Sequence, residues 1–323
     1  MYDYFMKRMI YQKFILGTGE GLKNALLRGL GGVIFFTNDI QNEEQFKNLI
    51  LDIKNKALIP PFLSIDQEGG RVERTENLKQ KRLSARYAFE KGEKYLKEQS
   101  EEISFELKNW GLNLNFAPCI DVNTNPNNPI IGERAFADNT EDVIKGADIF
   151  IKSSRKNGII PCVKHFPGHG DADKDSHLAL PQINLPLEKM VEIHIKPFKK
   201  AIEENIEIIM VAHLHCTCFD NEPIPTSLSK NAVGYLRNTL KYNGVVISDD
   251  MVMKGVQDFG SLEACIMAIK AGVDMFIFRD ANNDALELIE NLAKVVENDE
   301  ELKQKIFESN ERILKLKKDY MIL

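Results

Sequence analysis

The sequence predicts an α/β fold, a single-domain (β/α)8 barrel, on three observations. Eight short apolar runs recur along the chain, amphipathic stretches alternate with them, and no Ser/Gly/Pro-rich linker divides the 323 residues. The runs occupy positions 14–17, 33–36, 62–66, 112–117, 159–164, 208–212, 245–248 and 275–278. They are short and β-branched or aromatic, as strands buried on both faces require. Helical patterns fall between them at 43–56, 87–109, 141–156, 189–204, 230–242, 262–270 and 285–297. Gly111, Gly158, Gly244 and Gly272 each follow a helical pattern and precede a run, the position of a C-terminal stop. Pro197 predicts a break, or a helix start close to it. Strands alternating with helices imply a parallel sheet, and eight such units are the count of a closed barrel. One domain is expected over 1–323, with an extra helix at about 300–318. The rival is an open doubly wound sheet, which usually has fewer strands. Its phosphate fingerprint is missing, because Gly17-Thr-Gly-Glu-Gly21 imitates it weakly and reads as a turn.

Composition narrows the function classes. Apolar residues make up 43% and charged residues 28%, the balance of a soluble globular protein. A net charge of −6 argues against nucleic acid or an anionic membrane as the main partner. No apolar window is long enough for a membrane-spanning helix. Asp3, Lys7 and Arg8 charge the N-terminus, and no apolar stretch of signal length follows. The five cysteines (Cys119, Cys162, Cys216, Cys218 and Cys265) are odd in number and lack framework spacing. They predict free thiols in a reducing compartment, so a cytoplasmic protein is expected, with a monomer favoured.

The active site of a parallel barrel lies at the C-terminal ends of its strands. Polar residues follow the apolar runs there. Asp66 through Arg74 follow the third run, Asp121 and Gly132-Glu-Arg134 the fourth, Lys164-His165 the fifth, His213 the sixth and Asp249-Asp250 the seventh. Each has a plainer explanation. Asp66 could cap a helix, although Gly69-Gly70 argues for a sharp turn or a close approach. Arg74 and Arg134 could be solvated charges. His213 could be a satisfied core histidine, and one of Asp249 and Asp250 could cap the next helix. Lys164 is harder to explain away, because an unpaired buried lysine is costly. Residues 164–177 hold three of the six histidines and alternate aspartates on a loop with two glycines.

Taken in order, these motifs resemble glycoside hydrolase family 3, in its short β-N-acetylglucosaminidase branch. The matching pieces are Ile65-Asp-Gln-Glu-Gly-Gly-Arg-Val-Glu-Arg74, Asn115-Phe-Ala-Pro118 with Asp121, Gly132-Glu-Arg134, Lys164-His-Phe-Pro-Gly-His-Gly170, Asp175-Ser-His177, Ala212-His213 and Ile247-Ser-Asp249. The resemblance implies Asp249 as nucleophile and His177 as acid/base with Asp175 as its partner. It implies that Asp66, Arg74, Arg134, Lys164 and His165 hold the non-reducing sugar, and His213 is grouped with them. No cofactor and no metal are expected. The partner expected is a small carbohydrate, a muropeptide or oligosaccharide ending in N-acetylglucosamine, as in peptidoglycan recycling. His215, Cys216, Cys218 and the segment Phe278-Arg279-Asp280 depart from the pattern.

Residue chemistry fits the implied roles. Retention needs a carboxylate nucleophile about 5–5.5 Å from an acid. Asp249 directly follows a strand, where geometry is rigid, but residue physics does not choose between it and Asp250; the resemblance selects Asp249. An imidazole titrates near 6.5 and gives or takes a proton at neutral pH. A carboxylate such as Asp175 fixes its tautomer and raises its pKa. Gly168 and Gly170 would let the loop swing so that His177 closes over substrate. Three alternatives stand beside hydrolysis: phosphorolysis on the same site, a metal-dependent hydrolase using His213-Leu-His215 or His165 with His169, and a sugar-binding protein without turnover. A calcium loop starting at Asp171 is excluded, because Ser176 and Gln182 stand where glycine and glutamate are needed.

Overall fold

The computed structural model describes residues 2–172 and 180–323. Eight parallel strands close into a barrel: β1 (Phe14–Leu16), β2 (Gly32–Phe35), β3 (Phe62–Ile65), β4 (Leu114–Asn115), β5 (Ile160–Phe166), β6 (Ile208–Val211), β7 (Val245–Asp250) and β8 (Met275–Phe278). Each pairs with its neighbours in sequence, and β8 closes on β1 through Phe14↔Phe276 and Leu16↔Phe278. Side chains alternate along each strand. Ile15, Ile34, Phe62, Ile160, Met210, Ile247 and Met275 fill the barrel interior. Phe14, Val33, Leu63, Val163, Ile209, Val246 and Phe276 face outward into the layer of helices. Both faces are therefore apolar, which is why the strands read as unbroken apolar runs.

The helix Glu300–Asp319 closes the N-terminal end of the barrel. Its Ile313 and Leu316 join the interior cluster. Lys317, fully buried, donates to Gln12 Oε1 at 2.8 Å and to the Pro60 carbonyl at 2.9 Å. With that end plugged, the barrel interior opens at the opposite mouth.

The structure revises several local expectations. β5 runs on to Phe166 and β7 to Asp250, so His165, Asp249 and Asp250 lie within strands and not after them. The pattern over 87–109 divides at Gly92, whose φ of 106° suits glycine, into Ala85–Glu90 and Glu93–Trp110. Gly244 is not a helix stop. That helical segment ends by Thr239, and Lys241 takes the left-handed turn at φ 57°. Gly244 is needed for space, since a Cβ there would stand 2.3 Å from the Tyr242 hydroxyl. Pro197 sits in the first turn of Lys196–Glu203, after a widened turn over Met190–Ile195 that does not need its N–H. Helices Tyr2–Tyr11 and Leu22–Leu27 lay outside the sequence expectation.

Candidate active site

Parallel strands deliver their last residues to one end of the barrel. Asp66 directly follows β3, Lys164 and His165 lie near the end of β5, and Asp249 and Asp250 end β7. With Arg71, Arg74, Arg134, His169 and Arg279 they line a cavity of about 370 Å³.

Its wall is a continuous run of paired charges. Lys164, 2% exposed at the side chain, donates to Asp66 Oδ1 at 2.6 Å and to Glu68 Oε1 at 2.7 Å. Burial alone would depress the lysine; Asp66 and Glu68 outweigh it and hold the ammonium above its ordinary range. Glu68 also takes a bidentate pair from Arg134, Nε at 2.9 Å and Nη2 at 2.8 Å. Burial would raise the Glu68 carboxyl, but Arg134 and Lys164 keep it well below the usual carboxylate range. Arg134 Nη2 lies 3.4 Å from His165 Nε2, and His165 Nδ1 lies 2.7 Å from Asp121 Oδ2. A guanidinium only donates, so in the neutral ring Nε2 accepts and Nδ1–H points at Asp121. Asp121 further accepts the backbone N–H of His169 at 2.6 Å. Burial would raise its pKa too, and the His165 ring more than offsets this, leaving Asp121 ionised.

The structure thus joins Asp66, Lys164, Arg134 and His165 in one network. Arg74 lines the cavity separately, with its guanidinium 5.8 Å from the centroid of the Phe36 ring. His213 lies behind the wall and does not line it. Its Nδ1 is 2.7 Å from Ser227 Oγ and its Nε2 is 3.2 Å from the Asp250 carbonyl oxygen. A carbonyl only accepts, so Nε2 carries the hydrogen and Nδ1 accepts from the serine hydroxyl. Burial lowers the pKa of this histidine, which favours the neutral ring. His177 and Asp175 lie outside the described residues.

Asp249 and Asp250 are adjacent but differ in environment. Asp249 is half-buried on the cavity wall, and its Oδ1 accepts the Asp250 N–H at 2.7 Å. Burial pushes its pKa up, but the neighbouring His165 and His213 rings and the Asp250 N–H pull it below the ordinary value. Among the described residues no cation forms an ion pair with it. Asp250 is buried, bound by Arg279 Nε at 2.5 Å and by the Val252 N–H at 3.2 Å, and its pKa is raised by burial.

Sequence reasoning gave no role to Glu68 or Arg279, placed Asp121 at the active end without a role, and weighed His169 only as a metal ligand. A signal existed for Glu68. A buried Lys164 demands counter-charge, and Glu68 stands two positions from Asp66, where an extended segment brings side chains to one side. Cys119, Asp121 and His165 form a group whose donor atoms lie within 4.8 Å of one another. They are already joined by hydrogen bonds: the Cys119 thiol, pushed well up by burial and by Asp121, lies 3.2 Å from Asp121 Oδ2. Of the pair considered for zinc, His213 is engaged as described and His215 Nε2 lies 2.8 Å from the Asp220 carbonyl oxygen.

Comparison with known proteins gives this cavity its context. The chain is 32% identical over 317 residues to Beta-hexosaminidase A of Pseudoalteromonas piscicida, covering 89% of this chain and 53% of that protein. It is 35% identical over 272 residues to Beta-hexosaminidase of Photobacterium profundum, covering 82% and 79%. The solved glycoside hydrolase family 3 β-N-acetylglucosaminidase from Paenibacillus sp. str. FPU-7 superposes with a TM-score of 0.91 at 30% identity, over 98% of this chain and 62% of that one. The chain thus spans about half of the first relative and under two thirds of the solved one. The glycosyl hydrolase family 3 N-terminal domain matches residues 20–316, nearly the whole barrel, and the chain belongs to that family.

Proposed function

We propose that this chain is a retaining exo-β-N-acetylglucosaminidase. Asp249 carries the reading: an ionised carboxylate at a strand end, open to the cavity and without a cationic partner among the described residues, while Asp250 is tied to Arg279. A nucleophile must be charged, rigidly held and unencumbered. The names of the relatives, β-hexosaminidases and a β-N-acetylglucosaminidase, point to the same sugar.

In this mechanism Asp66, Lys164, Arg134, Arg74 and His165 hold the non-reducing N-acetylglucosamine. Lys164 and the arginines donate to hydroxyls, and Asp66 accepts. The Asp249 carboxylate attacks C1 as the C1–O bond breaks, and the leaving oxygen takes a proton from His177. His177, partnered by Asp175, then takes a proton from water as that water attacks C1, and Asp249 departs. Two inversions leave the β configuration. The cationic lining suits N-acetylglucosamine-terminated peptidoglycan fragments, handled in the cytoplasm, as the natural substrates.

The test is mass spectrometry of the protein treated with a fluorinated N-acetylglucosaminide that forms a slowly hydrolysed glycosyl-enzyme. A mass increase on the peptide holding Asp249 supports the reading. Modification of another residue, or turnover of N-acetylglucosaminides by Asp249→Ala at near the original rate, overturns it.

A further inference from the structure

The segment Gly17-Thr-Gly-Glu-Gly21 reads from sequence as a turn without chemistry. In the fold it is the bed on which the loop after β8 lies. Gly17 N–H donates to the Phe278 carbonyl at 2.9 Å and Gly21 N–H to the Ala281 carbonyl at 2.7 Å. A Cβ at position 17 would stand 1.8 Å from the carbonyl oxygen of Arg279. At positions 19 and 21 it would stand 2.7 and 2.9 Å from that of Ala281. Three glycines therefore let two backbones approach more closely than any side chain allows. The residue so positioned is Arg279.

Its side chain lines the cavity at the rim, 44% exposed, where Lys164 is 2% and Arg134 is 12% exposed. Nε is held by Asp250 Oδ2 at 2.5 Å. Among the described residues neither Nη of Arg279 has a hydrogen-bond partner. The other cavity cations are engaged: Lys164 and Arg134 with carboxylates, Arg71 with the carbonyls of Pro129 and Ile130, Arg74 over Phe36. A guanidinium anchored through Nε and open at both Nη groups matches a carboxylate bidentately. The deep end of the cavity suits the terminal sugar, and the rim meets what leaves.

We propose that Arg279 is a specificity-determining residue of the leaving-group subsite, binding a carboxylate carried on the leaving sugar. This rests on the hydrolase reading above and narrows its substrate class to acidic leaving groups.

The test compares two disaccharides with the same N-acetylglucosaminyl-β-1,4 bond and the same leaving sugar. In one the leaving sugar bears a free lactyl ether carboxylate; in the other that carboxylate is capped as its methylamide. The wild type is expected to favour the acid in kcat/KM by about ten- to hundredfold, the scale of a charge-assisted pair. In Arg279→Gln the preference falls to within about twofold of unity, and Arg279→Lys keeps part of it. A wild type indifferent to the cap overturns the proposal even if no variant folds. Equal losses on both substrates in Arg279→Gln also overturn it, since the arginine would then act only by positioning Asp250. A wild type that cleaves neither disaccharide nor an aryl N-acetylglucosaminide removes the hydrolase reading, and this proposal with it.

Discussion

Replacing Glu68 with glutamine keeps the shape of the side chain and removes the charge that two buried cations share. Glu68 is buried and accepts three hydrogen bonds from cations, two from Arg134 at 2.9 and 2.8 Å and one from Lys164 at 2.7 Å. Breaking a buried pair by removing one partner costs about 3–5 kcal/mol, because the remaining charge stays buried. Arg134 loses its only carboxylate among the described residues, and Lys164 keeps Asp66 alone. At about 2.1 cal/mol/K per residue, the 323-residue chain has an unfolding entropy of about 0.7 kcal/mol/K, so Tm falls by about 4–7 °C. Differential scanning calorimetry at pH 7 reads this directly. The pH dependence is a second check. The folded-state pKa of Glu68 lies below its ordinary 4.5, so its contribution is fully present above 4.5 and is lost as pH falls through the depressed value. The gap between wild type and Glu68→Gln should therefore be constant near neutral pH and narrow in acid. A variant melting within about 1 °C of wild type at pH 7 would refute the account of the cavity wall.

Three further outcomes are expected. Gly17→Ala forces a Cβ to within 1.8 Å of the Arg279 carbonyl; it should destabilise by about 1–3 kcal/mol in urea titration and reduce the preference for the acidic disaccharide, and an unchanged stability would count against the glycine bed. His177→Ala should slow cleavage of unactivated disaccharides more than of nitrophenyl glycosides, because a good leaving group needs no proton; equal losses on both would argue against an acid role. Burial pushes Lys317 from 10.5 down to about 7. Between those values the unfolded chain holds a proton that the folded chain lacks, so stability rises with pH there. The wild type should gain stability over Lys317→Met as pH rises from 7 towards 10, and a flat difference would show that the ammonium stays charged in the fold.

The barrel was legible because its signals are local. Runs such as Met275–Phe278 coincide with their strand, and the others agree to within a few residues. Strand ends were less legible. Polar Lys164 and Asp249 mark the end of an apolar run, yet the ladders continue through them, because backbone pairing does not require apolar side chains. Gly92 was readable as a helix residue until its positive φ broke the helix, whereas Gly244 served space and not turning.

By itself the sequence determined the strand–helix alternation, the family motifs and the clustering of Asp66, Lys164, His165 and Asp249 at one end of a barrel, since periodicity and order along the chain carry that information. Only the tertiary structure decided that Asp249 stands open while Asp250 is bound, that Glu68 joins Lys164 to Arg134, and that three glycines after β1 seat Arg279 after β8. These depend on distances of a few ångströms between residues far apart in the chain. Coulomb and steric energies vary steeply over such distances, and spacing in sequence does not record them.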